Sequence, residues 1–364
     1  MKQTVLHRKH ELLNAKLTDF AGWQVPLQFS DVQEEYRAVR TTAGLFDISY
    51  LGRIEVRGQG ADALLQSVVT WNMNKVAEGF AHYGLICNEA GCVLDDVLIF
   101  RLPSEKKSPG RYLLSTNAVN TDKILLWLKQ HASNTVEITD RTLFTVHFSL
   151  QGPRSHLILE KLTEHHFKKM KPRAVRELTL ADSSVIMSRT GYTGEHGYEF
   201  IAPADCAESL WDAIMKAGSG EGLLPCGLTS RDILRLEMGY LMYGNELDET
   251  RTPLEAGLSY FIDFNKDFIG KGPLLRLKAE GVKQKLAGFH LLDTGIPKGG
   301  GSIFSENREV GVVTSGCLSP HLRKGIGLGY IVARYLQPGQ EIEIEVRDRE
   351  IAAKIVDLPF YKKK

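Results

Sequence analysis

Residues 91–100 read GCVLDDVLIF, two adjacent acids set against large apolar residues. Aspartate is a poor strand former, and an unpaired buried carboxylate is costly, so Asp95 and Asp96 need a reason. Side chains alternate across a strand, which sends the two carboxylates to opposite faces. Two readings stand. Either the pair sits in a bulged hairpin with both acids solvated, or one carboxylate enters a pocket and orients a ligand or stabilises charge there. Tyr83, in the preceding strand-like run, belongs to the same set of awkwardly placed polar residues. A second candidate is RTGYTGEHGYEF, where Gly191, Gly194 and Gly197 are interleaved with Tyr192, Glu195, Tyr198 and Glu199. It reads as a plain hairpin, or as a loop that lets a ligand approach backbone beside a carboxylate able to pair with a heterocycle. The third is Arg231, a cation at a helix start, where the helix dipole favours anions. That placement fits a surface ion pair or an arginine that meets an anionic ligand.

Other chemistries lack their residues. There is no HExxH, no CxxC pair and no histidine cluster at metal spacing. There is no GxxxxGKS/T, no GxGxxG between a strand and a helix, and no GxSxG. GKGP at 270–273 and GGG at 299–301 read as turns, and His165 and His166 as a surface pair on different sides of a helix. No metal is expected. With 45 basic and 44 acidic residues the net charge is +1, which gives no reason to expect a nucleic-acid or membrane partner. MKQTVLHRKHELLNAK lacks the apolar core of a signal peptide, and no stretch approaches the ~18 apolar residues of a membrane helix. Cys87, Cys92, Cys206, Cys226 and Cys317 are an odd, scattered set that reads as free thiols in a reducing compartment.

The elements that must position these residues are legible in outline. The chain has 364 residues, 43% apolar, enough for two or three domains with sizeable cores. SDVQEEYRAVRTTAGLF predicts a helix, with Ser30 as cap, Gln33 completing a capping box and Gly44 as stop. GRIEVRG is a strand and ADALLQSVV a helix. AHYGLIC and VLDDVLIFR form a hairpin through Asn88–Gly91, so the two acids lie on its second arm. RYLLSTN is a strand, followed by a helix capped by Asn120 or Thr121. A second strand–helix unit follows: LFTVHFSLQGP, with Pro153 in the first turn of RSHLILEKL. Strands at 184–189 and 198–201 flank the glycine-rich loop, ADCAESLWDAIMKAG is an amphipathic helix, and another helix starts at Thr229 or Ser230 with Arg231 and Arg235 on one face. Beyond residue 280 only short strands and turns appear. Ile342, Ile344 and Val346 alternate with Glu341, Glu343 and Glu345, as in a strand with one wet face. This tail is an all-β domain, a small barrel or jelly-roll-like sandwich.

Together these stretches resemble the aminomethyltransferase family, the T-protein of the glycine cleavage system. AGWQVPLQFSD and EYRAVRTTAGLFDIS look like its opening. GCVLDD, LQGP, SRTGYTGEHGYE, PCGLTSRDILRLE, YGNELDETRTPLEAGL, DFIGK, VTSGCLSP and PFY follow in the family's order over almost the whole chain. The resemblance implies an α+β protein, a three-domain cloverleaf around a folate channel. Its two α+β domains would be residues 1–50 with 141–280, and residues 51–140 carrying the Asp95-Asp96 hairpin. A C-terminal β domain would span 281–364. It implies transfer of the aminomethyl carbon from lipoylated H-protein to N5 of tetrahydrofolate, with release of ammonia and 5,10-methylenetetrahydrofolate. Functional links to the P-protein and dihydrolipoyl dehydrogenase follow, as does a cytoplasmic location, or the mitochondrial matrix after removal of a transit peptide. By the same resemblance Asp96 is the catalytic acid, and Tyr83, Asn117, Tyr192, Glu199, Arg231 and Tyr361 are folate-binding. Asp95 takes a structural role.

The sequence departs from the family at named positions. Its usual D-V-S-H-M-G is here Asp47-Ile48-Ser49-Tyr50-Leu51-Gly52. Cys92 replaces a glycine, Ser230 an alanine, and S-P-T-L-G-K has become Ser319-Pro320-His321-Leu322-Arg323-Lys324. Tyr50 and Leu51 keep open a tetrahydrofolate-dependent demethylase of a small N- or S-methyl compound. A folate-binding scaffold without turnover is a third reading. The presence of Asp96, and the lack of a K-G-C-x-x-G-Q-E segment around Cys317, speak against it.

Overall fold

The computed structural model describes residues 1–103 and 110–363. The chain packs as two units, Met1–Gly84 with Asp96–Arg231, and Leu85–Asp95 with Asp232–Lys364. The first unit contains a six-stranded sheet in the order Val175–Leu180, Ser183–Ser188, Gly197–Pro203, Thr145–Gln151, Ala43–Asp47, Leu223–Pro225. Only its last pair is parallel. The chain leaves this sheet after Asp47, builds another, and returns at Thr145.

The strand Thr145–Gln151 shows how the sheet serves two purposes. Val146, Phe148 and Leu150 enter a core with Leu210, Trp211 and Ile214 of the helix Ala207–Gly218. The alternate residues Thr145, His147, Ser149 and Gln151 form a polar row on the opposite face. The last three are fully or almost fully buried. Buried polar groups need partners, so this face has to be built around specific hydrogen bonds.

The other large sheet runs Phe80–Cys87, Val93–Arg101, Gly110–Thr116, Gly52–Gly58, Val136–Asp140. Its first two strands are the expected hairpin. Asn88 Oδ1 accepts from Ala90 N at 3.0 Å and Cys92 N at 2.9 Å, and Asn88 N donates to Cys92 O at 2.9 Å. The left-handed residue of the turn is Gly91, φ +83°. Cys92 therefore replaces a family glycine without backbone strain. Cys87 and Cys92 are both free thiols. A small sheet, Lys2–Gln3, Trp23–Gln28, Lys16–Phe20, completes the strands of this region.

Several local expectations are corrected. The helix Val32–Thr41 is capped by Asp31, not Ser30, and the Asp31 side chain accepts from Gln33 N and Glu34 N. A carboxylate at the positive helix end satisfies the same amides as a hydroxyl and adds a favourable charge–dipole term. Glu35, not Gln33, reaches back, to Phe29 N at 2.6 Å and Ser30 N at 3.1 Å. Gly44 is no helix stop. It lies in a strand where a Cβ would come within 2.5 Å of Val39 Cγ2 and 2.6 Å of Cys226 Sγ, so close packing demands glycine. Asn120 occupies the N-cap of Thr121–His131 but makes no side-chain cap bond. Pro153 precedes the helix Ser155–Leu159 and its N-cap Arg154, so it lies just outside the first turn. His165 and His166 sit in exposed irregular chain, not on a helix.

In the second unit six strands close into a barrel, in the order Gln284–Leu291, Lys324–Val332, Arg308–Ser319, Ser302–Ser305, Glu341–Glu345, Glu350–Val356. Ile342 and Ile344 join Phe289, Ile303 and Ile331 in its core, as their alternation with glutamates requires. The GKGP segment opens a helix, Lys271–Glu280, with Pro273 in the first turn, where a missing N–H costs little. Fully buried Arg235 pairs with fully buried Glu246 at 2.8 Å. Ser315 joins them, accepting from Arg235 Nη2 at 2.8 Å and donating to Glu246 Oε1 at 2.5 Å. Such hydrogen-bond completion is what makes a buried ion pair tolerable. Among the described residues no helix is long and apolar enough to cross a membrane.

Candidate active site

The two adjacent acids have different surroundings. Asp95 is fully buried, while Asp96 is partly exposed. Tyr83 OH donates to Asp96 Oδ2 at 3.0 Å, and Asn117 Nδ2 donates to Asp96 Oδ1 at 2.8 Å. Asn117 also reaches the Asp96 carbonyl at 3.2 Å. The three residues come from two neighbouring strands and the end of the third in the sheet order. Tyr83 on one oxygen and Asn117 on the other fix the plane of the carboxylate.

A second group surrounds Glu199, which is 5% exposed and paired in register with Ser149. Thr190 OH donates to Glu199 Oε2 at 2.5 Å. Burial pushes the Glu199 pKa above its ordinary 4.5, against the opposing pull of Thr190, the Arg231 charge and Ser149. The Arg231 guanidinium lies 4.9 Å from the centre of the Tyr192 ring, and Arg231 shares a cleft with Tyr50. Arg231 Nη1 is buried and has no hydrogen-bond partner. Arg231, Tyr50, Asp47, Ile48, Gly227 and Leu228 are among the residues that line this narrow cleft. A buried guanidinium nitrogen with no partner in such a cleft suits an anionic or carbonyl oxygen of a ligand.

Glu35 sets the position of Arg231. Besides its two upstream amides it accepts from Gly227 N and from Ser230 OH, both at 2.9 Å. Ser230, the departure from the family's alanine, thus ties this helix start to Glu35. Tyr50, the departure from histidine, packs edge-on against Phe20 at 5.3 Å.

Asp47, His147 and Gln151 carry no role in the sequence motifs above. The signal for two of them is the polar alternation in TVHFSLQ. Asp47 accepts from Thr4 OH and lies against His10 Nε2, each at 2.8 Å, and accepts from Ser49 N at 3.0 Å. Burial pushes its pKa up, but His10 and Ser49 outweigh this and hold it below the ordinary 3.8. Burial, with the charges of Arg53 and Arg231, holds His147 well below the ordinary histidine 6.5. Neither His147 nitrogen has a partner.

Tyr361 lies in the second unit. Its N–H donates to Glu237 O at 2.9 Å, and its ring stands edge-on to His321 at 5.0 Å. Glu237 Oε1 accepts from Ser319 OH at 2.6 Å and from His321 N at 3.4 Å, so the altered 319–324 segment has its own anchor. Hydrogen bonds therefore join Tyr83, Asp96 and Asn117. Ring stacking and electrostatics link Tyr192, Arg231 and Glu199. Among the described residues no group of three or more His, Cys, Asp or Glu could hold a metal ion.

Comparison with known proteins gives a consistent family. Residues 6–266 match the GCVT N-terminal domain, and residues 284–362 match the glycine cleavage T-protein C-terminal barrel domain. The chain is 43% identical over 361 residues to an aminomethyltransferase of Halothermothrix orenii, covering 99% of this chain and 100% of that one. It is 41% identical over 366 residues to an aminomethyltransferase of a Geobacillus species, covering 100% and 99%. The crystal structure of glycine cleavage system aminomethyltransferase T from Bartonella henselae superposes with a TM-score of 0.91 at 28% identity, covering 99% of this chain and 98% of that one.

Proposed function

The chain belongs to the glycine cleavage T-protein family of aminomethyltransferases, and on that premise we propose that it moves the aminomethyl carbon of lipoylated H-protein to N5 of tetrahydrofolate. Ammonia leaves, and the carbon ends as 5,10-methylenetetrahydrofolate. The proposed role of Asp96 is electrostatic. Fixed by Tyr83 and Asn117, its carboxylate orients the pterin and stabilises positive charge that develops on the attacking nitrogen. Because the carboxylate is already oriented, little reorganisation is needed when that charge appears.

The second group binds. Glu199 pairs with the N–H and NH2 edge of the pterin, a charge-assisted contact. Arg231 offers its unpartnered Nη1 to an oxygen of the same substrate, with Tyr192 beside the guanidinium. These residues fit a folate: a buried carboxylate for a donor edge, a guanidinium nitrogen without a hydrogen-bond partner for an acceptor, and aromatic rings for a flat heterocycle. Tyr361 is assigned to the same substrate by its place in the closing PFYK. The proposal also carries the functional link to the P-protein and dihydrolipoyl dehydrogenase, and work in the cytoplasm. The observation that carries the assignment of the catalytic acid is the two-sided clamp on Asp96. Calorimetric titration with tetrahydrofolate tests the binding half: binding by the wild type that weakens in Arg231→Ala supports it, and no binding by the wild type overturns it.

A further inference from the structure

The LQGP segment contributes a glutamine whose side chain does more than pack. Gln151 is fully buried at the end of the polar row. Its Nε2 donates to Ser149 Oγ at 3.0 Å and to Thr190 O at 3.1 Å. Its Oε1 accepts from Thr193 OH at 3.1 Å. Thr193 Oγ1 in turn accepts from Glu195 N at 3.2 Å, and Thr193 O accepts from Arg40 Nη1 at 2.6 Å. One carboxamide therefore holds residues 190 and 193 of the glycine-rich loop.

The loop is built around that carboxamide. A Cβ on Gly191 would come within 2.0 Å of Gln151 Oε1, and one on Gly197 within 2.2 Å. Neither glycine has a positive φ, so their requirement is space for Gln151 and not backbone freedom. The same loop touches both groups assigned to the substrate's polar edge, Glu199 and Arg231. Thr190 OH holds Glu199, and Ser149, itself bonded to Gln151, stands opposite Glu199 in the neighbouring strand. Tyr192, two residues beyond Thr190, stacks on Arg231.

We propose that Gln151 is the positioning residue of the substrate site: it fixes the loop 189–196 so that Glu199, Tyr192 and Arg231 present one preformed binding edge. This rests on the folate reading above. The Gln151 side chain bonds to Ser149, Thr190 and Thr193 and not to the Tyr83–Asp96–Asn117 group, so its loss acts on binding more than on the chemical step. Two of its three hydrogen bonds reach the loop directly, and losing them weakens a preorganised site by roughly tenfold in affinity.

The test compares wild type, Gln151→Ala, Gly191→Ala and the double variant. Amide hydrogen exchange over residues 189–197 is read first, without ligand. The account expects faster exchange there in Gln151→Ala, with the barrel unchanged. It then expects the KM for tetrahydrofolate to rise roughly tenfold while kcat falls by less. Gly191→Ala alone does the same by pushing on Gln151. The double variant is less impaired than the two effects added, because removing the carboxamide makes room for the methyl. Unchanged loop exchange in Gln151→Ala overturns the proposal, as does a loss in kcat with KM unmoved, or strict additivity in the double variant. If the wild type binds no tetrahydrofolate, the folate reading fails, while the exchange arm still decides whether Gln151 holds the loop.

Discussion

The Asn117 carboxamide donates to Asp96 Oδ1 at 2.8 Å, while Tyr83 donates to the other oxygen, Oδ2. This links the end of one strand to the middle of its neighbour. It gives a partly exposed acid in an apolar strand a fixed plane, where a solvated aspartate would rotate. The expected consequence is graded. Asp96→Asn removes the charge and lowers kcat by ~100-fold or more, the usual cost of losing a preorganised electrostatic group. Tyr83→Phe and Asn117→Ala each remove one clamp and lower kcat by ~10-fold, the worth of one hydrogen bond to a charged group. Equal turnover in Asp96→Asn and wild type would remove Asp96 from the mechanism.

Glu199 is assigned to binding, so its variants act on affinity. Glu199→Gln keeps shape and loses charge, and weakens tetrahydrofolate binding by ~10- to 100-fold. The wild type carries a pH signature as well. Binding uses the ionised carboxylate, and burial raises its pKa above 4.5. As the pH falls, affinity therefore starts to drop at a higher pH than an ordinary glutamate would give, and Glu199→Gln flattens that slope. Calorimetry across the acidic range reads both. Identical profiles in the two proteins would place the pairing elsewhere.

His147 makes a separate prediction about stability. Its folded-state pKa lies well below 6.5, so below pH 6.5 the unfolded chain binds a proton that the folded chain refuses. Stability from this group is complete above pH 6.5 and is lost as the pH falls, by up to ~1.4 kcal/mol per pH unit. Neither ring nitrogen has a partner, so His147→Leu breaks no hydrogen bond within the chain. Urea denaturation at several pH values gives a shallower acid slope for His147→Leu than for the wild type. Parallel slopes would mean that the imidazole is protonated in the folded state.

Glu35 is the structural hinge of the Arg231 helix. Its four donors, Phe29 N, Ser30 N, Gly227 N and Ser230 OH, all lose their acceptor in Glu35→Ala. Leaving these donors unpaired, two of them buried (Gly227 N and Ser230 OH), costs about 3 kcal/mol. The melting temperature falls accordingly, and affinity for tetrahydrofolate weakens through Arg231. Ser230→Ala loses only one of these bonds and costs about 1 kcal/mol. A Glu35→Ala protein as stable as the wild type would contradict the hydrogen-bond geometry.

The sequence made much of this visible, and the limits have physical causes. The barrel is legible because Ile342 and Ile344 alternate with glutamates, and only a strand with one wet face gives that period. The hairpin is legible because Asn88 and Gly91 have the chemistry its turn uses. The cap at Asp31 is misread because Ser30 and Asp31 can both supply an acceptor, and only the chain direction before the helix decides between them. Gly44 is misread because a glycine after a helix usually stops it, whereas here Val39 and Cys226 exclude a Cβ. In the site, Asp96 and Glu199 stand out as acids in apolar strands. Glu35 and Gln151 do not, because their partners lie 192 residues (Gly227) and 39 residues (Thr190) away in the chain. Long-range hydrogen bonding leaves no local pattern, and the quoted LQGP segment names the glutamine without revealing what it holds.

The most direct measurement is turnover with tetrahydrofolate and aminomethyl-loaded, lipoylated H-protein, following ammonia and 5,10-methylenetetrahydrofolate together in wild type and Asp96→Asn. The account predicts equal amounts of both products in the wild type and loss of both, in step, in Asp96→Asn. Tetrahydrofolate binding without either product in the wild type would contradict it and turn attention to Tyr50, Leu51 and the 319–324 segment as determinants of a different one-carbon donor.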